Sequence, residues 1–116
     1  MLLTATIEKL PEARAVVTLS GPMTLGMSLK LVDTQVQAAI AEGVTKMVID
    51  MTSVDYVDSA GLGVMAYAYS KLNQKNGALR LCGVSPRILS VLQLTKTDTF
   101  LAIDASRNES LAALPV

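Results

Sequence analysis

The sequence of 116 residues contains no histidine, one cysteine and no tryptophan. Without histidine, the chain cannot form a Ser-His-Asp triad, a Cys-His pair, a histidine metal site or a histidine phosphocarrier. The single Cys82 allows neither an intramolecular disulfide nor a two-cysteine metal motif, which fits a reducing compartment. The first nine residues lack the basic segment and apolar core of a signal peptide. We therefore expect a cytoplasmic protein without a metal or another cofactor.

The chain also has few aromatic residues and no net charge. Three Tyr and one Phe are the only aromatic residues, and ten basic residues balance ten acidic ones. Nucleic-acid-binding proteins usually have a basic surface and aromatic side chains that stack on bases, so we expect no nucleic-acid partner. The uncharged stretch 59–70 near the middle contains two Gly and two Tyr and is too short and polar to span a bilayer. We expect no direct membrane insertion.

The sequence is rich in apolar residues, which make up 51% of the chain, against 17% charged residues. This balance is typical of a compact globular chain, and we expect one domain over residues 1–116. Apolar periodicity predicts strands over 3–8, 15–19, 45–50, 78–82 and 100–103. It predicts helices from about residues 25, 59, 86 and 106, with a polar loop over 95–99. The alternation favours an α/β fold with a mostly parallel mixed sheet of about five strands, crossover helices and an antiparallel N-terminal strand pair.

The segment Asp58-Ser59-Ala60-Gly61-Leu62-Gly63 separates the predicted strand 45–50 from the following helix. Its position predicts Ser59 as the N-cap of that helix. The first N–H groups of a helix lack internal partners, and the helix dipole favours negative charge at this end. In open parallel sheets, ligand sites lie at the carboxyl ends of strands. This segment is therefore the candidate functional site.

The two glycines of the segment also fit a loose dinucleotide-binding pattern, Gly61-x-Gly63-x-x-Ala66. In that motif the strand leads directly into the first glycine, whereas here Asp50 and Gly61 are separated by a long connection. No acidic residue lies about twenty positions further on, because the next acid after Asp58 is Asp98. These departures disfavour dinucleotide binding, and the sequence contains no P-loop.

Two other interpretations of Ser59 need no cofactor. A serine hydrolase would need a base near Ser59, but the nearest candidates, Asp55 and Asp58, are poor bases for forming an alkoxide. Val57 also occupies the place of the glycine that a nucleophile elbow requires. The simpler structural alternative is that Ser59 only caps a helix and the glycines allow close packing.

Phosphorylation by a separate kinase is the remaining chemical role for Ser59, because the kinase would supply nucleotide, metal and base. A phosphate would add about −1.5 to −2 charges at the start of the helix and repel Asp58. The small Ala60 and the two glycines would leave the hydroxyl accessible. Such a modification could reverse a protein interaction without refolding the domain.

The segment 48–63, with its acid-Ser-small-Gly-Leu-Gly core opening a helix, closely resembles the STAS domain, named for sulfate transporters and anti-sigma factor antagonists. The resemblance extends to the strand pair at the N-terminus and to the segments 21–24, 83–86 and 94–100. It implies a small bacterial regulator that binds an anti-sigma factor serine kinase, displaces sigma and is switched off by phosphorylation of Ser59. A serine phosphatase is a further partner that such a cycle implies.

The resemblance also implies roles for individual residues. Asp58, Ala60, Gly61 and Gly63 correspond to the phosphorylation loop around Ser59. Partner contacts are expected from Met23, Thr24, Leu62 and Tyr67, on the loop after the second strand and the start of the helix. The chain would have no enzymatic activity of its own. The alternative within the family is a phosphorylation-independent scaffold or a transporter-associated subunit, in which Ser59 only caps its helix.

Overall fold

The computed structural model describes residues 2–115, in which strands and helices alternate after an N-terminal strand pair. The strands are β1 Thr4–Leu10, β2 Arg14–Ser20, β3 Lys46–Ser53, β4 Ala78–Cys82 and β5 Ala102–Asp104. The α-helices are α1 Met27–Ala41, α2 Ser59–Gln74, α3 Pro86–Leu94 and α4 Arg107–Ala113. A short 3-10 helix, Thr97–Thr99, lies in the segment predicted as a polar loop. None of the helices described here is long and apolar enough to cross a membrane.

The strands form one mixed sheet in the order β1-β2-β3-β4-β5. The hairpin β1–β2 is antiparallel, and the other three strand pairs are parallel. Each parallel pair is connected through a helix, as parallel strands require. The predicted α/β fold with a mostly parallel mixed sheet of five strands and an antiparallel N-terminal pair is confirmed.

Local sequence signals account for the ends of several helices. The Ser85 hydroxyl accepts a hydrogen bond from the Ile88 N–H, and Pro86 is the first helical residue of α3. The Ser106 hydroxyl caps α4 in the same way. After α1, Gly43 has a φ of 113°, a backbone conformation that residues other than glycine rarely adopt. The predicted helix starts near residues 86 and 106 are confirmed.

The two faces of the sheet are covered differently. Most buried side chains lie in one large cluster between the sheet and the helices α1, α2 and α3. On the opposite face, a smaller cluster of Val16, Val48 and Cys82 packs against Leu114, just after α4. At the carboxyl ends of the parallel strands, the loops that follow β2 and β3 meet and are joined by backbone hydrogen bonds.

Cys82 lies in the smaller cluster and is 1% exposed. Burial raises the pKa of its thiol to about 11, and the negative charges of Asp50 and Asp104 add to this effect. The thiolate is the reactive form, so raising the pKa by about two units lowers its fraction about 100-fold near neutral pH. Cys82 is therefore a core residue.

We expect an aromatic disulfide reagent at pH 8 to react with native Cys82 at least about 100-fold more slowly than with the urea-unfolded chain. The absorbance of the released thiolate measures both rates. The unfolded chain is the internal control, because it contains the same single thiol without burial. Equal rates in the two states would contradict the placement of Cys82 in the core.

Candidate functional site

The candidate site lies where the connection between β3 and α2 meets the loop between β2 and α1. Met23 joins the two segments: its N–H donates to the Tyr56 carbonyl at 2.8 Å, and its carbonyl accepts from the Asp58 N–H at 3.1 Å. Met23 and Val57 form an isolated parallel bridge. These hydrogen bonds hold residues 21–26 against the start of α2. The two loops therefore form one continuous surface.

Asp58, and not Ser59, is the N-cap of α2. Asp58 has an extended backbone, with φ −99° and ψ −174°, and its Oδ1 accepts a hydrogen bond from the Gly61 N–H at 3.0 Å. Ser59 is the first helical residue and is exposed. The prediction that Ser59 caps the helix is therefore wrong by one position. The hydroxyl of Ser59 is not needed to begin the helix.

The second carboxylate oxygen of Asp58 connects the helix to the neighbouring loop. Its Oδ2 accepts a hydrogen bond from the Leu25 N–H at 2.9 Å. The N–H of Leu25, followed by that of Gly61, lowers the pKa of the Asp58 carboxyl below its ordinary value. Because the pKa is lowered in the folded state, the stabilisation is present at neutral pH and disappears as the pH falls through that lowered pKa. Both oxygens are engaged, so Asp58 is poorly suited to act as the base of a serine hydrolase.

Gly61 allows the close approach of the two segments. A Cβ at this position would lie 2.4 Å from the Met23 carbonyl oxygen and 2.8 Å from the Met23 Cβ. These distances are far below van der Waals contact, and they involve the backbone of the neighbouring loop. Gly63, in contrast, is exposed, and a Cβ there would meet no atom within 4 Å. The two glycines of the segment therefore have different environments.

The residues predicted to contact a partner do not all reach the surface. Tyr67 is 51% exposed, and Thr24 is half-buried at the edge of the site. Met23 is 1% exposed and Leu62 is 8% exposed, and both side chains lie in the main core cluster. The pairing of Met23 with residues 56–58 explains its burial, and Leu62 lies on the buried face of α2. The prediction that the side chains of Met23 and Leu62 contact a partner directly is therefore corrected, because both are buried in the core.

Two exposed apolar side chains lie beside the site, and one of them, Leu25, was not predicted as a partner-contact residue. Leu25 is 84% exposed and Met27 is 71% exposed. They line an apolar groove between the starts of α1 and α2, together with Ala60 and Val64 of α2. The apolar spacing of the first helix suggested that it begins at Leu25, but α1 begins two residues later. Leu25 therefore lies outside the helix that was expected to bury it.

The acidic residues near the site do not gather around a common point. Within residues 2–115, no group of three or more Cys, Asp or Glu side chains is arranged to hold a metal ion. The Asp50 carboxylate accepts hydrogen bonds from the backbone and the hydroxyl of Thr52, which shapes the end of β3. The Asp58 carboxylate binds backbone N–H groups. Both carboxylates therefore have structural partners.

Comparison with known proteins identifies one matching family and several relatives that share the same described role. The family model described as the STAS domain matches residues 4–110. The chain is 36% identical over 64 residues to the anti-sigma-B factor antagonist of Listeria monocytogenes, an alignment that covers 55% of each chain. It is 29% identical over 70 residues to the anti-sigma F factor antagonist of Paenibacillus polymyxa, covering 60% of each chain. These alignments thus span little more than half the length of either relative.

The fold is also similar to a solved structure of the Bacillus cell fate determinant SpoIIAA in its phosphorylated form. The TM-score is 0.73 at 18% sequence identity, and the alignment covers 94% of this chain and 97% of that chain. At this identity the similarity establishes the fold alone. The fold, the site geometry and the family match together provide the basis for assigning a function.

Proposed function

Because the chain belongs to the STAS domain family, we propose that it is an anti-sigma factor antagonist controlled by phosphorylation of Ser59. Its partner would be an anti-sigma factor with serine kinase activity, which the unphosphorylated protein binds and thereby separates from its sigma factor. The names of the Listeria and Paenibacillus relatives support the antagonist function. The chain would act by binding and would not itself be an enzyme.

The observation that carries this proposal is the position of Ser59 on the first turn of α2. Ser59 is exposed, and Asp58 performs the capping role that would otherwise occupy the Ser59 hydroxyl. A kinase active site can therefore receive the hydroxyl without disrupting the start of the helix. The first-turn N–H groups that Asp58 leaves free and the helix dipole also favour a phosphate at this end.

The transfer requires only an accessible hydroxyl from this chain. The Ser59 Oγ would attack the γ-phosphorus of ATP, forming a new O–P bond while the bond to the β–γ bridging oxygen breaks and ADP leaves. The kinase would accept the hydroxyl proton and provide the metal-bound nucleotide. A serine phosphatase would reverse the modification by hydrolysing the phosphoserine.

The phosphate would act on a surface that is already organised by a carboxylate. It would add about −1.5 to −2 charges directly beside Asp58. Asp58 binds both the start of α2 and the Leu25 N–H of the neighbouring loop. The phosphate would therefore change the charge of the site. Its repulsion of Asp58 would disturb the position of the exposed Leu25.

We expect the purified kinase partner and ATP to add one phosphate to the wild-type chain and none to Ser59→Ala. Because Asp58 caps the helix and alanine is a good helix former, Ser59→Ala should change the free energy of unfolding by less than about 0.5 kcal/mol. Intact-mass spectrometry measures the phosphate, and urea unfolding measures the stability.

The matched control is Ser70→Ala, which removes another exposed serine of α2. This variant should still accept one phosphate. Phosphorylation of another residue, or a lack of phosphate on a wild-type chain that binds its kinase, would contradict the proposed switch. The second outcome would favour the phosphorylation-independent scaffold.

A further inference from the structure

Gly63 is an exposed glycine in the interior of a regular helix. Glycine destabilises a helix relative to alanine because it loses more backbone freedom on folding. A close approach explains Gly61, and Gly77 would place a Cβ 1.7 Å from the Thr45 carbonyl oxygen. At Gly63 a Cβ would meet no atom within 4 Å. Contacts among residues 2–115 therefore do not account for the glycine at this position.

The position of Gly63 on α2 relates it to the phosphorylation site. Ser59, Gly63 and Tyr67 are spaced four residues apart, so they form one row along the exposed side of the helix. Gly63 leaves bare backbone between the serine hydroxyl and the tyrosine ring. Beside this row, Ala60 and Val64 line the apolar groove that also contains Leu25 and Met27.

We propose that Gly63 is a partner-contact residue, at which the serine kinase partner packs directly against the backbone of α2. This inference rests on the proposed function, because an active site that receives the Ser59 hydroxyl must also cover the next turn on the same side. That turn lies only about 6 Å further along the helix axis. The absence of a side chain at Gly63 lets the kinase approach closely, with the exposed apolar Leu25 and Met27 at the edge of the contact.

The inference is tested with Gly63→Ala and Gly63→Gln, using the kinase that phosphorylates Ser59. Because the site has free space and alanine favours helix, we expect Gly63→Ala to raise the melting temperature by about 2–6 °C. The same variant should bind the kinase at least about tenfold more weakly, and the larger glutamine should weaken binding further. Isothermal calorimetry measures affinity, and circular dichroism measures melting.

The control is Asn73→Ala on the same helix. Asn73 is exposed and lies about 15 Å further along the axis, so this substitution improves helix propensity outside the proposed contact. It should raise the melting temperature and leave kinase affinity unchanged.

Three outcomes would overturn the inference. Equal kinase affinity of wild type and Gly63→Ala would show that nothing packs closely there, while phosphorylation of Ser59 would remain intact. A lower melting temperature for Gly63→Ala would show that the glycine serves the fold. Dissociation of a wild-type dimer by Gly63→Ala would show that a second copy covers this row. A wild-type chain that no serine kinase phosphorylates would instead overturn the proposed function itself.

Discussion

Gly61→Ala is expected to destabilise the domain by about 2–3 kcal/mol, because the added methyl group has no space. It would lie 2.4 Å from the Met23 carbonyl oxygen, 2.8 Å from the Met23 Cβ and 3.1 Å from Val57 Cγ1. Overpacking typically costs about 1–3 kcal/mol and occasionally more, and a clash this close to backbone atoms lies at or above the upper end of that range, at about 3–4 kcal/mol. The gain in helix propensity, about 1 kcal/mol, offsets only part of a severe clash with backbone atoms. Urea unfolding followed by circular dichroism measures the change.

Gly63→Ala is the matched control for this experiment, since it makes the same substitution two residues away where there is free space. The two variants should shift the unfolding midpoint in opposite directions. A stable Gly61→Ala variant would show that the loop 21–26 can move away from α2 at little cost. That result would contradict the rigid connection made by the hydrogen bonds of Met23.

Gly61→Ala should also weaken partner binding, although Gly61 itself is buried. The added methyl group pushes residues 21–26 away from α2, and the hydrogen bond from the Leu25 N–H to Asp58 spans this boundary. Loss of this hydrogen bond would release the exposed Leu25. The effect on binding would then come from displacement of a surface loop.

The sequence predicted the fold well because the relevant signals are local. Alternating apolar residues define strands, and spacing of three or four defines the buried sides of helices. Ser85 followed by Pro86 and Ser106 three residues before Glu109 mark two helix starts without help from the rest of the chain. Helical crossovers between successive strands make the sheet mostly parallel.

The start of α2 was misplaced because the choice between two neighbouring residues depends on a distant contact. Asp and Ser are comparably good N-caps, so Asp58 and Ser59 are nearly equivalent in a local analysis. The Leu25 N–H lies 33 positions upstream of Asp58 and binds its second oxygen. Ser59 has a single side-chain oxygen and could not make both contacts as Asp58 does. The tertiary contact favours Asp58.

Met23 and Leu62 were predicted to contact a partner but are buried, and only the burial of Leu62 could have been predicted from the sequence. Met23 lies in a loop between proline and threonine, and its burial depends on the bridge to Val57. That bridge is a long-range pairing without a local signal. The helical period predicts that Leu62 is buried, because it lies three positions before Met65 on the same side of α2.

The difference between Gly61 and Gly63 could likewise have been predicted from the period of the helix. Gly61 precedes Met65, Ala68 and Leu72 at spacings of four, seven and eleven, which all belong to the buried side of α2. Gly63 shares its side with Ser59 and Tyr67. The helical period thus separates a packing glycine from an exposed one, but only the structure shows that Gly61 is opposed by backbone.

Ser59→Asp is expected to weaken binding of the kinase partner by about 100-fold while leaving the domain folded. A negative charge at this position imitates part of the charge of a phosphate and lies beside Asp58. Binding removes water from the new carboxylate and strengthens its repulsion of Asp58, and a cost of about 2.7 kcal/mol corresponds to this loss of affinity. An acidic residue in the first helical turn is favourable to the helix dipole, so the melting temperature should not fall.

Ser59→Asn separates charge from size, because asparagine is nearly isosteric with aspartate and neutral. We expect it to bind the partner much more tightly than Ser59→Asp, and we expect the difference to shrink at high salt as the charges are screened. Equal losses for the two variants would show that the site excludes bulk and does not sense charge. Wild-type affinity of Ser59→Asp would mean that a single charge beside Asp58 is insufficient, so that release would require the geometry of the phosphate itself. The pair of variants therefore distinguishes electrostatic repulsion from steric exclusion at a residue whose hydroxyl the fold does not need.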